Sequence, residues 1–165
     1  METIYINTND TAKLIRKALK DAFKKDFPNT KFSVRSKKYA GGSSIDIQWT
    51  DGPNYESVDK IAQQFAGATF DGMIDLKEYT THVNGKGELV HYGPDYVFTH
   101  REHSDVAWNL TKQYVFRKFQ VVDGKGNEVD ESFSGPIWSL TLGKRGMFFE
   151  SKVREILKTM DLDKA

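Results

Sequence analysis

The sequence predicts an α+β fold: an antiparallel sheet with amphipathic helices packed on it, in one compact domain over residues 1–165. Three observations predict it. Apolar and polar residues alternate over "KFSVRSK" and again over "SIDIQWT", marking two neighbouring strands. Two stretches with helical apolar periodicity flank that pair. Residues 1–67 therefore run strand, helix, strand, strand, helix, an order suited to a sheet with helices on one face.

"METIYI" opens the chain as a short strand with Ile4 and Ile6 on one face. A helix follows, capped by Asp10 or Thr11, and Pro28 ends it. Leu14, Ile15, Ala18, Leu19, Ala22 and Phe23 form its apolar stripe, and Lys13, Arg16, Lys17, Lys20, Lys24 and Lys25 its charged face. In the next strand Phe32 and Val34 face the core, while Ser33, Arg35 and Lys37 face away. Gly41-Gly42 turn the chain into a partner strand that buries Ile45, Ile47 and Trp49. "TDGPN" is a second turn. The second helix carries Val58, Ile61, Ala62 and Phe65, with Ser57 as N-cap and Gly67 as stop.

The remainder is less regular. "FDGMIDLKEYTTHV" reads as strand or loop, "NGKGE" as a turn, and "LVHYGPDYVFTHRE" as two strands broken at Gly93-Pro94. Ser104 caps a helix reaching about Phe119, with Ala107, Leu110, Tyr114 and Phe119 toward a core. "DGKGNE" is a turn, "SGPIWSLTLG" a strand, and "FFESKVREILKTMDL" a closing helix. Residues 105–165 thus form a helix-strand-helix extension packed on the part before it.

Hydrophobic residues make up 38% of the chain and aromatics 13%, so rings carry much of the burial. The net charge of +1 gives no global pull toward nucleic acid or membrane. The charge is uneven. Residues 1–50 hold ten Lys and Arg against five Asp and Glu, and residues 51–100 hold three against eight. Such a split steers partners by face, or neutralises itself within the fold. The absence of cysteine excludes disulfides, thiolate nucleophiles and cysteine zinc sites, and fits a reducing cytoplasm. No secretory signal opens the sequence, and no apolar run is long enough to span a membrane.

The blocks "KFSVRSKKYAGGSSIDIQWTDGP", "FAGATFDGMIDLKEY" and "VHYGPDYVFTHREHS" together resemble the large polyvalent protein-associated domain family numbered 29. The hairpin Phe32–Pro53, the "FDGM" element at Phe70–Met73 and the "YGPDYVF" element at Tyr92–Phe98 carry the likeness, which runs from about Thr11 to Ser104. The resemblance implies a setting in phages and conjugative elements, in proteins associated with entry into a new host and resistance to its defences. It supplies no catalytic residues. A short chain of this kind implies a dedicated effector, such as an inhibitor of a bacterial defence system.

Several residues are candidates for contact. A phosphate cradle needs converging backbone N–H groups at a helix N-terminus; Gly41-Gly42 precede a strand, so they read as a hairpin turn. Arg35, Lys37, Lys38 and Tyr39, with Ser43 and Ser44 opposite, form a basic rim. Lys17, Lys20 and Lys24 add a helical face. Together they can track a phosphate backbone, with Tyr39 stacking on a base, provided that sheet and helix present them on one side. His82, His91, His100 and His103 lie close in sequence to Asp71, Asp75 and Glu78, a set suited to acid–base work or metal binding. Their spacing matches no metal motif, so no metal and no cofactor is expected. Asp46 and Gln48 face outward from their strand. Trp108, Tyr114, Phe116 and Phe119 exceed what one helix face holds, and mark a partner surface or a helix buried on two sides.

Three classes of function follow. The first is a non-enzymatic phage or mobile-element protein of anti-CRISPR or anti-restriction type. It binds and occludes a bacterial defence protein or ribonucleoprotein. The second is a nucleic-acid-binding accessory protein using the basic hairpin and helix. The third is an enzyme on nucleotides or nucleic acid, using the histidines and aspartates. No membrane partner is expected, and the oligomeric state is not legible.

Overall fold

The structure, a computed structural model, describes residues 2–71, 76–143 and 146–162. The fold class is α+β, and the chain divides into two compact units, Met1–Glu102 and His103–Leu162.

The first unit begins with β1 (Ile4–Ile6) and α1 (Thr8–Phe23). The N-cap of α1 is Asn7, earlier than the expected Asp10 or Thr11. Its side chain accepts from Asp10 N at 3.0 Å, satisfying one of the orphan donors of the first turn. The earlier start admits Thr8, Thr11 and Ala12 to the buried face with Ile15 and Leu19, and leaves Leu14 and Ala22 exposed. An Asn7→Ala variant is expected to lose about 1 kcal/mol, read from urea unfolding.

β2 (Ser33–Tyr39) and β3 (Gly42–Thr50) form the expected antiparallel hairpin, with Val34 opposite Ile47 and Arg35 opposite Asp46. α2 (Tyr55–Ala62) follows and runs into a single 3₁₀ turn, Gln63–Phe65. Its cap is Asn54 rather than Ser57. The Asn54 carboxamide accepts from Ser57 N at 2.9 Å, so the serine donates to the cap instead of supplying it. β4 (Ala68–Asp71) and β5 (Leu76–Tyr79) pair with each other, so the ambiguous "FDGMIDLKEY" stretch contributes two strands. Met73 and Asp75, between them, lie outside the described residues. β6 (His82–Val83), β7 (Leu89–Tyr92) and β8 (Tyr96–Glu102) complete the unit.

Two pairings depart from the antiparallel expectation. β8 runs parallel to β3, and β1 parallel to β7. A parallel neighbour needs a long crossover, and α2 with β4–β7 supplies one between β3 and β8. The result is a sheet ordered β2-β3-β8. Alternation sends Val34, Ile45, Ile47, Trp49 and Val97 to one face. There they form a core with Ala12, Ile15 and Leu19 of α1 and Val58 and Ala62 of α2. Full burial of each larger apolar chain stabilises by about 1.5–3 kcal/mol. Trp49, only 2% exposed, also donates its indole N–H to Pro53 O at 3.1 Å. Both helices therefore lie on one face of this sheet.

The second unit contains α3 (Asp105–Lys118), the small sheet of β9 (Val121–Val122), β10 (Glu128–Val129) and β11 (Thr141–Leu142), and α4 (Phe149–Thr159). Ser104 caps α3 as expected, accepting from Ala107 N at 3.1 Å. Its core gathers Ala107, Val115, Val121, Leu140, Phe149, Val153 and Leu157. The buried row of α3 is Ala107, Thr111 and Val115, not the expected row through Leu110 and Tyr114. Thr111 can occupy it because its hydroxyl donates to Ala107 O at 2.8 Å, leaving only a methyl to the core. Leu110 is 61% exposed, and Tyr114 and Phe119 are exposed too. Of the aromatic excess on this helix, Trp108 and Phe116 pack against the core, with Phe116 and Phe149 ring centroids 4.6 Å apart. Among the described residues no helix is long and apolar enough to cross a membrane.

Candidate nucleic-acid interface

The sheet β2-β3-β8 covers one face with helices; its other face carries side chains that remain at the surface. Register assigns that face directly. Arg35, Lys37 and Tyr39 come from β2. Asp46, Gln48 and Thr50 come from β3. Tyr96, Phe98, His100 and Glu102 come from β8. Phe98 and Tyr39 are each 47% exposed. The rings of Tyr96 and Phe98 lie 6.0 Å apart with an interplanar angle of 29°, a stacked pair along one edge strand. Exposed rings on an open sheet face offer flat apolar area to a ligand.

Charge is interleaved with the rings. Lys37 Nζ lies 3.0 Å from Asp46 Oδ2, and His100 Nε2 4.0 Å from Asp46 Oδ1. The Lys37 side chain is 70% exposed and that of Asp46 24%, so water screens the pair mainly at its lysine end. Gln48 donates its amide to Glu102 Oε1 at 2.6 Å across the strands. At the opposite end from Tyr39, Asn29, Lys31, Ser33, Gln48, Trp49 and Thr50 line a hollow of about 390 Å³. The face thus has an aromatic end and a polar, hydrogen-bonding end.

The turn that shapes the aromatic end depends on its glycines in two ways. Gly41 has φ +86°, the left-handed conformation a tight hairpin needs. Gly42 has ordinary φ but sits against the Asp95 carboxylate, where any Cβ would collide. Asp95 is buried, accepts from Ser43 N at 3.2 Å and pairs with Lys77 Nζ at 2.7 Å. Tyr39 O–H donates to Ser43 O at 3.3 Å. Burial, then the Asp95 charge, holds the Tyr39 phenol above its ordinary value, so the ring stays neutral.

The structure divides the anticipated basic rim. Arg35, Lys37 and Tyr39 share the open face. Lys38 pairs with Ser43 and takes the helix side. Ser43 and Ser44 are buried. Ser43 Oγ donates to Gly93 O at 3.2 Å, leaving the Thr8 hydroxyl to donate to it at 2.7 Å, so this serine ties three segments together. Lys17, Lys20 and Lys24 belong to α1, on the opposite side of the sheet. Strand and helix cations therefore do not form one surface.

The histidines are not gathered either. His82 is paired with Val90 and its Nε2 lies 2.7 Å from Ala66 O, with its ring against Tyr92. His91 takes the other face of the same small sheet, stacked on Tyr5 with centroids 5.8 Å apart. His100 lies on the open face, and His103 belongs to the second unit. The Asp71 side chain and Asp75 lie outside the described residues. Among the described residues no group of His, Asp or Glu is arranged to hold a metal ion.

Tyr96, Phe98 and Lys31 are the surface residues that sequence reasoning missed. The signal was present as "YVFTHRE", a strand with aromatic residues at alternate positions. Both of its faces carry apolar residues, so alternation alone does not say which one is open.

Residues 6–104, more than half of the chain, match the family model described as large polyvalent protein associated domain 29. The matched range ends close to the boundary of the first unit and contains the whole open sheet face. No curated protein and no solved structure matches the chain.

Proposed function

Since the chain belongs to the family of large polyvalent protein associated domain 29, a domain associated with phages and mobile elements, we propose that it is a non-enzymatic accessory protein that binds single-stranded nucleic acid. The observation that carries this reading is the row of rings Tyr39, Tyr96 and Phe98 beside Arg35 and Lys37 on an open sheet face. Splayed bases stack on the rings, and each stacked base contributes about 1–3 kcal/mol. Arg35, Lys37 and Lys31 meet the phosphates. Asp46, at the centre of the face, and Glu102, at its polar end, disfavour a closely packed backbone there. The polar hollow around Ser33 and Gln48 offers donors and acceptors to one base edge.

Three cations set a modest electrostatic share. The expected result in fluorescence anisotropy with labelled oligodeoxythymidylate is a slope of log K against log salt of about −2, near 0.7 per phosphate contact on a single strand. Absence of binding at low salt overturns the proposal, and so does stronger binding to duplex than to single strand.

A second reading, occlusion of a host defence protein or its ribonucleoprotein in anti-CRISPR or anti-restriction fashion, is favoured by a separate observation. Val106, Leu110 and Tyr114 form an exposed apolar row at four-residue spacing along α3. Rows of this kind anchor protein partners in grooves. Expressed in bacteria carrying a defined CRISPR or restriction system, the chain is then expected to restore plating of a targeted phage. A Leu110→Ala/Tyr114→Ala double variant should abolish the effect.

A further inference from the structure

On the helix side of the first unit, the end of α1 and the segment leading into β2 enclose a groove of about 330 Å³. Its floor is apolar: Leu19, Phe23, Phe27 and Phe32, with Pro28 alongside. Phe23 packs on Phe27 and Phe32 at centroid distances of 6.1 and 5.8 Å, so the rings brace one another and the groove is preformed. The volume is at the lower end of the range for ligand sites, roughly 300–1,000 Å³, enough for one or two large side chains.

The rim is cationic. Arg16, Lys20 and Lys24 line the groove at four-residue spacing, and no carboxylate lines it. Arg16 is held in place by its donation to Val34 O at 2.6 Å, which also caps a carbonyl of edge strand β2. Lys20 and Lys24 make no ion pair among the described residues. Two of the last carbonyls of α1 are occupied, Lys20 O by Lys24 N at 2.9 Å and Phe23 O by Phe27 N at 2.8 Å, and the cations of Arg16, Lys20 and Lys24 offset the negative end of the helix. An apolar slot ringed by unpaired ammonium groups matches a large apolar side chain flanked by carboxylates. A nucleic-acid strand fits it poorly, since phosphates would meet the lysines while hydrophilic sugars faced the phenyl floor.

We propose that this groove is a docking site for an acidic peptide segment of a partner protein, with a Phe or Leu side chain seated on Phe23, Phe27 and Phe32 and its flanking Asp or Glu residues paired with Lys20 and Lys24. The site lies across the sheet from the proposed nucleic-acid face and does not depend on it. It assigns the lysines of α1 to a protein partner.

The test uses the full chain and three fluorescein-labelled, N-acetylated peptides: EDFLED, its uncharged counterpart QNFLQN, and EDSGED, which lacks the apolar anchor. Saturable binding of EDFLED below about 1 mM is expected, with both controls at least about tenfold weaker. A Lys20→Glu/Lys24→Glu double variant should weaken EDFLED about tenfold or more, with an unchanged circular dichroism spectrum because both side chains are exposed. A Phe98→Ala variant should bind EDFLED as the wild type does. No binding of EDFLED overturns the proposal. Equal binding of EDFLED and EDSGED, or an unaffected lysine variant, overturns it as well. Oligodeoxythymidylate binding that is lost in the lysine variant would assign the groove to nucleic acid instead.

Discussion

A Phe98→Ala variant is expected to bind single-stranded oligodeoxythymidylate about ten- to a hundredfold more weakly than the wild type, with little change in unfolding temperature. The magnitude follows from losing one stacked base, about 1–3 kcal/mol. The small effect on stability follows from position. Phe98 projects from an edge strand away from the helices and is 47% exposed, so truncation opens no cavity in the core. Tyr96 shares its stack, so the two alanine variants should combine with less than additive loss. Lys37→Gln should act differently. It removes one phosphate contact, lowers affinity modestly and flattens the salt dependence by about 0.7. Lys17→Gln, on the far side of the sheet, should leave both quantities unchanged. Equal dissociation constants for wild type and Phe98→Ala would reject the open face as the binding surface.

The second large effect concerns stability. Replacing Asp95 with alanine should cost about 1–3 kcal/mol, the range for leaving a buried donor without its acceptor, because Asp95 is buried while the Lys77 side chain stays 25% exposed and can rehydrate. Two groups lose their acceptor at once: Ser43 N, at 3.2 Å, and the Lys77 ammonium, at 2.7 Å. The Asp95 hydrogen bond, followed by its charge, holds the Lys77 ammonium above its ordinary value of 10.5. A raised lysine contributes stability that is complete below its unfolded value and lost as pH rises through its folded one. The contribution of Lys77 should therefore persist through neutral pH and fade only above about pH 10.5. Gly42→Ala should also destabilise strongly, because its Cβ would overlap the Asp95 carboxylate. The two are coupled: in an Asp95→Ala background the glycine substitution should cost much less. A cycle measured by urea unfolding decides this, and additive costs would show that the collision is not what restricts Gly42.

How far the sequence reaches is clearest at the hairpin. "KFSVRSKKYAGGSSIDIQWT" specifies two strands, a glycine turn and the inward set Val34, Ile45, Ile47 and Trp49, all present in the structure. Period-two alternation with a turn between leaves one register that buries the apolar set. The helices were equally legible, but their caps and stripes were less so. Asn7 and Asn54 cap three to four residues before the positions expected, because several polar residues in a row can each accept from a nearby N–H. On α3 the expected row failed because Thr111 satisfies its own hydroxyl locally and a methyl suffices for the core.

The candidate site was only half legible. Arg35, Lys37 and Tyr39 follow from strand alternation alone. Their companions Tyr96, Phe98 and His100 do not, since β8 is placed beside β3 by a crossover of more than forty residues and no local pattern encodes that neighbour. Nor does local pattern say which side of the sheet α1 covers. Hydrophobic periodicity acts over a few residues and determined the α+β class, the elements and the core of the hairpin. Which strands became neighbours, which face stayed open, and that the lysines of α1 rim a separate groove were decided by long-range packing. The physical reason is that a sheet has two faces, and only the burial of one by helices drawn from elsewhere in the chain leaves the other to meet a ligand.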